Sequence, residues 1–433
     1  MPETNSTKLI LLELNEVNFE YVRHYTEHGE LPVFARLLAE HGCTTTRSEP
    51  VYEHIEPWIQ WVSVHTGKSF AEHGVFRLGD APATGQEQIW ETLEKRGLKV
   101  GAFSPMNAGN TLRNPVFFVP DPWTVAPVAG PGVLKRLYAA VAQAVNDNAQ
   151  ARITPRSTID LIAGFYAYAD WGKLPSYIAD VLRSPRAHWA KALFLDRLLA
   201  DCFFKLWRQT QPDFSSLFLN GAAHLQHHYL FNSGAYSGSH RNPAWYIPRT
   251  ADPILEIYRL YDQVLADCLA LDPRPRIMIV TGLHQDPVDT PVYYWRLKNH
   301  DAFLSKLGRP FSSVQPRMSR DFLVQCADAG DAARLGALLA SGSGPDGVAL
   351  FEVDNRGDSL FVTLAYPHAI EAGFDARFGE RVIRNFAADV VFEAIKNAHH
   401  NGAGYFLDTG KATSPARQEI PLTDVWQRVM SAF

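Results

Sequence analysis

Four short apolar runs, separated by long amphipathic stretches, constrain the fold more than any other feature of this sequence. A strand that is apolar at successive positions must be covered on both faces, so such runs are typical of a parallel sheet between helices. The alternation predicts an α/β fold with a doubly wound, mostly parallel sheet sandwiched by helices. The runs are KLILLEL (Lys8–Leu14), LKVGAFSP (Leu98–Pro105), FSSLFLN (Phe214–Asn220) and RIMIVTG (Arg276–Gly282). After the first run, the pattern predicts one helix from Phe19 to His41.

Two segments interrupt this alternation. Residues 121–210 are rich in Pro and Ala and then helical, which predicts a mainly helical insertion. Residues 301–380 contain a strand-like stretch, a helix-like stretch and two strands around an Asn-Arg-Gly-Asp turn, which predicts a small α+β cap subdomain. The predicted core is therefore made of 1–120, 211–300 and 381–433.

Composition narrows the partners and the compartment. The chain has 433 residues, 46% of them apolar and 20% charged, as in an ordinary globular protein. Its net charge is −5 and its cations are scattered, which argues against a nucleic-acid partner. No apolar run approaches the length of a membrane span, so a membrane partner is not expected. Four dispersed cysteines and the absence of a signal pattern predict a cytoplasmic protein.

Unusual polar residues stand just past the predicted strands. Asn15 and Glu16 follow the first run, Asn220 to His228 follow the third, and His284 follows the fourth. His400 lies shortly before the last predicted strand. Ligands of open α/β sheets bind outside the carboxyl ends of the strands, so these residues are expected to share a site.

The histidines are the candidate metal ligands. His224 and His228 are spaced i, i+4 and share a helix face, with His227 one step round. Neutral imidazole suits zinc and similar ions. The alternative is that some of these rings only donate hydrogen bonds in a crowded pocket. The candidate ligands are His224, His227, His228, His284 and His400.

The segment VYEHIEPWIQW is the densest polar and aromatic stretch. Pro57 is placed to begin a helix with Glu56 as its cap, where a carboxylate faces the positive helix end. A Glu with a His partner can act as general acid or base. The candidate catalytic residues are Glu56, His54, Glu16 and Asn15. The alternative is an ordinary helix cap.

Two groups of residues are candidates for substrate binding. Aromatic and amide side chains of the same stretch could face a sugar or a base: Trp58, Gln60 and Trp61. The segment WRLKNH could hold an anionic group through Arg296, Lys298 and His300. Core tryptophans and a solvated loop are the respective alternatives.

The order of these segments resembles the alkaline phosphatase superfamily, and within it the type I phosphodiesterase/nucleotide pyrophosphatase branch. WVSVHTGKSFAEHG (61–74) resembles its Thr-Gly and His-Gly pattern, with Phe70 in place of a Pro. AHLQH (223–227), GLHQ (282–285) and HNGAGYFL (400–407) resemble its histidine motifs in the family's order. The resemblance implies an alkaline phosphatase-like fold. In the family, two zinc ions are held by imidazoles and carboxylates beside a Thr or Ser nucleophile.

This sequence departs from the family at the charged positions. The nucleophile place falls on or near Pro57, which has no hydroxyl. The three matched Asp places hold uncharged residues: Asn15, Ala223 and Leu283. The three His places are kept: His227, His284 and His400. With so few anionic ligands, one metal ion is conceivable and two are not expected.

The sequence therefore predicts a divergent hydrolase-like member with Glu/His acid–base chemistry. Its expected substrate is a phosphate or sulfate ester or a sugar-bearing molecule, and its expected cofactor is one divalent metal, zinc or similar, or none. Two alternatives stay open. One is a non-catalytic descendant that binds a small molecule, a glycan or a partner. The other is a metallohydrolase with unusual ligands, including Glu16 and Glu56. The sequence does not indicate an oligomeric state.

Overall fold

A computed structural model describes residues 8–146, 154–317, 320–411 and 419–433 of the chain. Two compact units are present. The first is made of Met1–Val145, Ile153–Pro287 and Ala398–Phe433, and the second of Asn146–Arg152 and Val288–Asn397. Among the described residues, no helix has the length and apolar character needed to span a membrane.

The described residues form the following regular elements. The strands are β1 (Leu9–Leu14), β2 (Thr44–Arg47), β3 (Val100–Phe103), β4 (Phe117–Val119), β5 (Phe214–Leu219), β6 (Arg276–Val280), β7 (His284–Leu297), β8 (Ser313–Pro316), β9 (Asp321–Gln325), β10 (Gly342–Ser343), β11 (Phe351–Asn355), β12 (Ser359–Leu364), β13 (Ala376–Phe378), β14 (Arg381–Ile383), β15 (Val390–Asn401), β16 (Ala403–Asp408) and β17 (Glu419–Pro421). The helices are α1 (Phe19–Glu27), α2 (Pro32–His41), α3 (Pro57–Thr66), α4 (Phe70–His73), α5 (Ala81–Thr84), α6 (Ile89–Lys95), α7 (Gly132–Asn146), α8 (Pro155–Tyr168), α9 (Leu174–Arg183), α10 (Ala190–Thr210), α11 (Gly221–Tyr229), α12 (Pro253–Leu269), α13 (His300–Lys306), α14 (Ala329–Ala340) and α15 (Asp424–Met430).

The first unit is built on an eight-stranded sheet in the order β17-β2-β16-β6-β1-β5-β3-β4. All neighbouring strands are parallel except β16, which runs antiparallel to β2 and β6. Every residue of β1, β3 and β5 is buried, as their continuous apolar sequences require. The predicted α/β class with a large, mostly parallel sheet is confirmed.

Helices cover both faces of this sheet. Ile10 and Leu12 of β1 join a hydrophobic cluster with residues of α1, α2, α10 and α12. Leu9 and Leu11 point the other way, into a cluster with residues of α3, α6 and α15. This alternation follows from the two-residue period of a strand, and it places β1 between two helical layers.

The predicted helix from Phe19 to His41 is in fact two helices, α1 and α2. Gly29 adopts a φ of 77°, which ends the first helix, and Pro32 occupies the first turn of the second. The prediction of one helix was wrong because the apolar periodicity continues across the break.

The segment predicted as a helical insertion contains α7, α8, α9 and α10, and its described residues up to Val145 and from Thr154 belong to the first unit. The proposed bounds of the insertion, 121–210, rest on the sequence pattern alone and stay a prediction. Its longest helix, α10, packs against β5 and joins the main core.

The second unit contains the predicted strands and helix of the α+β segment. Its four-stranded antiparallel sheet has the order β11-β12-β9-β8, and α14 packs on β11 and β12. Phe322, Leu335 and Leu360 are buried in a hydrophobic cluster of their own. The unit spans 288–397, which is wider than the proposed cap of 301–380.

Candidate metal centre

Glu16 lies directly after β1, at the carboxyl edge of the sheet. Its φ of 60° lies in the left-handed region, and its backbone N–H donates to the Thr281 carbonyl oxygen over 3.0 Å. The side chain is buried, and the Asn15 amide donates to Oε1 over 3.1 Å. The Gln285 amide donates to Oε2. A strained backbone and two amide donors therefore fix this carboxylate in one orientation.

Two histidines meet the Glu16 carboxylate. His400, at the end of β15, places Nε2 3.3 Å from Oε2 of Glu16. His227, in α11, places Nε2 3.6 Å from the same oxygen. One potential ligand atom from each of the three side chains lies within 4.8 Å of the others. We call Glu16, His227 and His400 the triad.

The local chain explains how α11 presents His227. Asp196 of α10 accepts a hydrogen bond from the Gly221 N–H over 2.8 Å and another from the Tyr261 hydroxyl over 2.7 Å. Burial raises the pKa of Asp196 to about 6. The Gln226 amide donates to the Glu16 carbonyl oxygen over 2.8 Å, which ties α11 to the end of β1.

The triad could hold a divalent transition-metal ion. Zinc–nitrogen and zinc–oxygen bonds of about 2.0–2.2 Å place neighbouring ligands of a tetrahedron about 3.4 Å apart. The two carboxylate–imidazole distances, 3.3 and 3.6 Å, match that edge. Two imidazoles and one carboxylate are also a ligand set that catalytic metal sites use.

Each imidazole has a second partner of the kind expected of a metal ligand. Nδ1 of His400 lies 3.4 Å from Oε2 of Glu56. The His227 ring donates to the backbone carbonyl of Ala398. Metal-bound histidines usually donate their second N–H to a carboxylate or a carbonyl, which fixes the tautomer. Glu56 is the cap residue of α3, as predicted, and its side chain is 35% exposed.

The protonation states also suit metal binding. Burial opposes ionisation of Glu16, but the His400 and His227 rings and the Gln285 amide outweigh it and hold the pKa of Glu16 at about 2. Burial lowers the pKa of His227 to about 4, against the opposing effect of Glu16. At neutral pH the carboxylate is charged and this imidazole is neutral, the forms that bind a cation.

Asn15, the residue before Glu16, is hydrogen-bonded to Trp61. The Trp61 indole N–H donates to Oδ1 of Asn15 over 2.6 Å, and the Asn15 amide donates to Asn220 over 2.7 Å. Trp61 is completely buried. Asn15 thus orients Glu16, and Trp61 in turn orients Asn15. The Trp61 ring packs in the hydrophobic core.

The structure places the other predicted metal ligands outside the triad. His284 directs Nδ1 to the Ala403 carbonyl oxygen at 2.6 Å and Nε2 to Asp286 at 3.2 Å. Successive side chains of a strand point to opposite faces. Since Gln285 points toward Glu16, the preceding residue, His284, points away from it. His224 and His228 lie on α11 with their rings 5.1 Å apart, and His224 is exposed.

The remaining predicted site residues in the first unit lie within a few residues of Glu56 in the sequence. The His54 ring packs against the Phe70 ring at 4.2 Å, and the Gln60 amide donates to the His54 carbonyl oxygen. The Trp58 indole donates to the Phe76 carbonyl oxygen over 3.1 Å. Gln60 is buried, whereas His54 and Trp58 are partly exposed.

The three residues predicted to bind an anion lie in the second unit. Arg296 pairs with Glu393 at 2.6 Å, and the Lys298 ammonium donates to the Ala388 carbonyl oxygen over 3.0 Å. His300 is buried with its ring 4.9 Å from that of Phe322. Arg296 and Lys298 thus have polar partners within their own unit, whereas Nε2 of His300 is buried without a hydrogen-bond partner among the described residues. The role of the three residues in substrate binding stays a prediction.

Sequence reasoning placed Glu16 among acid–base groups and left open its role as a metal ligand. The structure also adds Gln285, Gln226 and the Ala398 carbonyl as positioning groups, none of which was predicted. Gln285 follows the fourth apolar run by only a few residues, and that position past a strand end was the available signal.

Comparison with known proteins gives no close relative. No family model matches the sequence, and no curated protein matches it. Two similar solved structures are crystal structures of phosphonoacetate hydrolase from Sinorhizobium meliloti 1021, in complex with phosphonoformate and with phosphonoacetate. Each is 13% identical and covers 99% of this chain and 96% of its own, with TM-scores of 0.45 and 0.44. At this similarity they are not evidence of a shared activity.

Proposed function

We propose that this chain is a hydrolase of phosphate or sulfate esters that binds one divalent cation, zinc or similar, through Glu16, His227 and His400. The observation that carries the proposal is the triad, whose two carboxylate–imidazole distances are 3.3 and 3.6 Å. The sequence resemblance to the alkaline phosphatase superfamily supplies the expected substrate class. We therefore propose an alkaline phosphatase-like member with a reduced metal centre.

The triad supports one ion rather than two. In the family, the ion bound at the places of His227 and His400 has an Asp ligand, and Ala223 stands in that Asp place. Glu16 supplies a carboxylate to these same histidines from the end of β1. The place of the other ion would keep His284, whose two ring nitrogens already face Ala403 and Asp286.

The chain's own residues would divide the chemistry between binding and proton transfer. When bound, a divalent ion polarises an ester oxygen as a Lewis acid. Glu16, His227 and His400 would hold that ion, and Asn15 and Gln285 keep Glu16 oriented. The Glu56 side chain is partly exposed to solvent. It precedes Pro57, which occupies the place of the family's nucleophile and carries no hydroxyl. We propose water as the nucleophile, with Glu56 as the general base that accepts the water's proton through one intervening solvent molecule.

Metal content tests the proposal directly. Protein purified without chelator is expected to contain about one equivalent of zinc or a similar divalent ion by elemental analysis. Glu16→Gln and His400→Ala should lose it, because each removes one of three ligands. His224→Ala, which changes an exposed histidine of the same helix, is the matched control and should keep the ion.

Three outcomes would overturn the proposal. A metal-free protein whose melting temperature does not respond to added zinc would show that the triad is only a hydrogen-bonded cluster. Two tightly held equivalents would favour the metallohydrolase with unusual ligands. One equivalent without turnover of any phosphate or sulfate ester in a broad panel would favour the non-catalytic binding descendant. Generic aryl phosphates alone are not decisive, since we expect only weak turnover of them.

A further inference from the structure

The helices α8 and α9 expose an unusual amount of apolar surface. Among the described residues, fourteen large hydrophobic side chains are exposed, and half of them fall within this one short stretch of chain. Their exposed fractions range from 49 to 75%. We call these seven residues the apolar surface: Ile159, Ile162, Tyr166, Trp171, Ile178, Val181 and Leu182.

Each helix presents these residues on one side. In α8, Ile159, Ile162 and Tyr166 are spaced i, i+3 and i+7, which places them on one face. The opposite face is buried and includes Gly164, where a Cβ would lie 2.5 Å from Leu137 of α7. The outer face of α8 is therefore apolar, and no residue within the described part of the chain covers it.

The helix α9 repeats this arrangement beside α8. Ile178, Val181 and Leu182 lie on its outer side, while Tyr177 is buried. Both helices pack against α10, and the Phe165 ring of α8 contacts the Tyr177 ring at 4.9 Å. Since the Phe165 and Tyr177 rings also contact Phe194 of α10, the two helices lie side by side on that helix.

An aromatic ring in the connection between α8 and α9 extends the outer face of α8. Trp171 packs its ring against Tyr166 at 5.5 Å and against Phe165 at 6.2 Å. Exposed Trp and Tyr side chains are among the residue types that dominate binding energy at protein interfaces.

We propose that the apolar surface is the interface of a homodimer of this chain. A Tyr or Trp side chain buries about 150–250 Å² when covered and an aliphatic side chain buries less, so the seven residues, half to three-quarters exposed, present on the order of 700 Å². A stable interface buries about 800 Å² on each partner, and homodimer interfaces are more apolar than others. A patch of that size on a monomer is unusual.

The charges on the two helices favour a second copy over a lipid surface. The cations are Arg156 and Arg183, and the anions are Asp160 and Asp180. Asp160 pairs with Arg136 at 3.3 Å, and Asp180 pairs with Arg183 at 3.0 Å. Helices that bind anionic membranes carry an excess of Lys and Arg on the polar side, which α8 and α9 do not have.

Sedimentation equilibrium of the full chain from 1 to 100 µM tests the proposal. The chain mass is 48.4 kDa, and the wild type is expected to reach twice that mass within this range. Ile162→Glu and Leu182→Glu should each weaken dimerisation at least tenfold, because each would bury a charge in an apolar interface. Val382→Glu changes an exposed hydrophobic residue of the second unit and should leave the dimer unchanged. Far-UV circular dichroism confirms that the variants fold.

Several results would overturn the dimer. One is a wild type that stays monomeric at 100 µM, and another is a dimer that both glutamate variants leave intact. Co-sedimentation with vesicles of phosphatidylcholine and phosphatidylserine provides a further measurement. A monomer that binds such vesicles through Ile162 and Leu182 would assign the surface to a membrane instead. None of these outcomes depends on metal content or turnover.

Discussion

At the scale of single residues, Glu16 brings a carboxylate to His227 and His400 from a position next to the Asp place of the first motif. The place of an Asp in the sequence motif holds Asn15, and the carboxylate comes from the next residue. Glu16 reaches its partners only because its backbone adopts a φ of 60°, which costs a residue with a Cβ about 1–2 kcal/mol. The amides of Asn15 and Gln285 and the two imidazoles stabilise the side chain in return.

Glu56 is expected to matter for metal affinity without being a ligand. Glu56→Gln removes the charge that faces Nδ1 of His400 at 3.4 Å, so the imidazole becomes a weaker ligand. We expect zinc affinity, measured by competition with a chromogenic chelator, to fall about 10- to 100-fold. Glu53→Gln changes an exposed carboxylate three residues earlier and should leave the affinity unchanged. Equal zinc affinities of the two variants would show that Glu56 does not support metal binding by His400.

At the scale of elements, the motif WVSVHTGKSFAEHG builds a structural support rather than a reactive group. Ser63 of α3 and Nε2 of His73 lie 3.1 Å apart, and Nδ1 of His73 accepts the Val75 N–H. Nε2 must therefore donate to Ser63, which leaves no base to activate that hydroxyl. The motif joins α3 and α4 and so holds the segment that carries Glu56.

Gly67, which ends α3 within this motif, should tolerate substitution poorly. Its φ is 70°, and a Cβ there would lie 2.9 Å from the Trp426 side chain of α15. We expect Gly67→Ala to lower the free energy of unfolding by about 2–4 kcal/mol, from the backbone cost and the overpacking together. Gly74→Ala is the matched control, because its φ is 65° and a Cβ there would have no neighbour within 4 Å.

Gly74→Ala should cost only the backbone term, about 1–2 kcal/mol. Urea denaturation of both variants measures the difference. Equal losses would show that Trp426 moves aside without cost, and that α15 does not fix the end of α3.

The sequence predicted elements better than it predicted their breaks and the geometry of the site. The apolar runs identified β1, β3, β5 and β6, because continuous burial requires continuous apolar residues. The division into α1 and α2 was missed, since both helices keep one apolar face across the break. The position of Glu16 in the triad depends on a backbone angle and on partners from distant parts of the chain, which no local pattern encodes.

At the scale of the whole molecule, each of the two units has hydrophobic clusters of its own among the described residues. The larger sheet has clusters on both faces that draw on residues from Leu9 to Met430. The second unit has its own cluster, whose buried members run from Trp295 to Val390. The motif resemblance found no counterpart to that second core, because none of the motifs falls within it. Only the change in composition and the strand–turn–strand pattern marked it in the sequence.

A separate core predicts that residues 288–397 fold without the rest of the chain. The segment has 110 residues, a common size for a domain, and its described part contains two sheets and α14 packed on one of them. The isolated segment should show a single cooperative thermal transition by circular dichroism, with dispersed amide signals in NMR spectra. Leu335→Ala, which removes a completely buried side chain between α14 and the sheet, should lower its free energy of unfolding by about 2–5 kcal/mol. Arg377→Ala changes an exposed side chain of β13 and should have little effect. A non-cooperative melt, or equal stability of the two variants, would mean that this core needs the first unit in order to form.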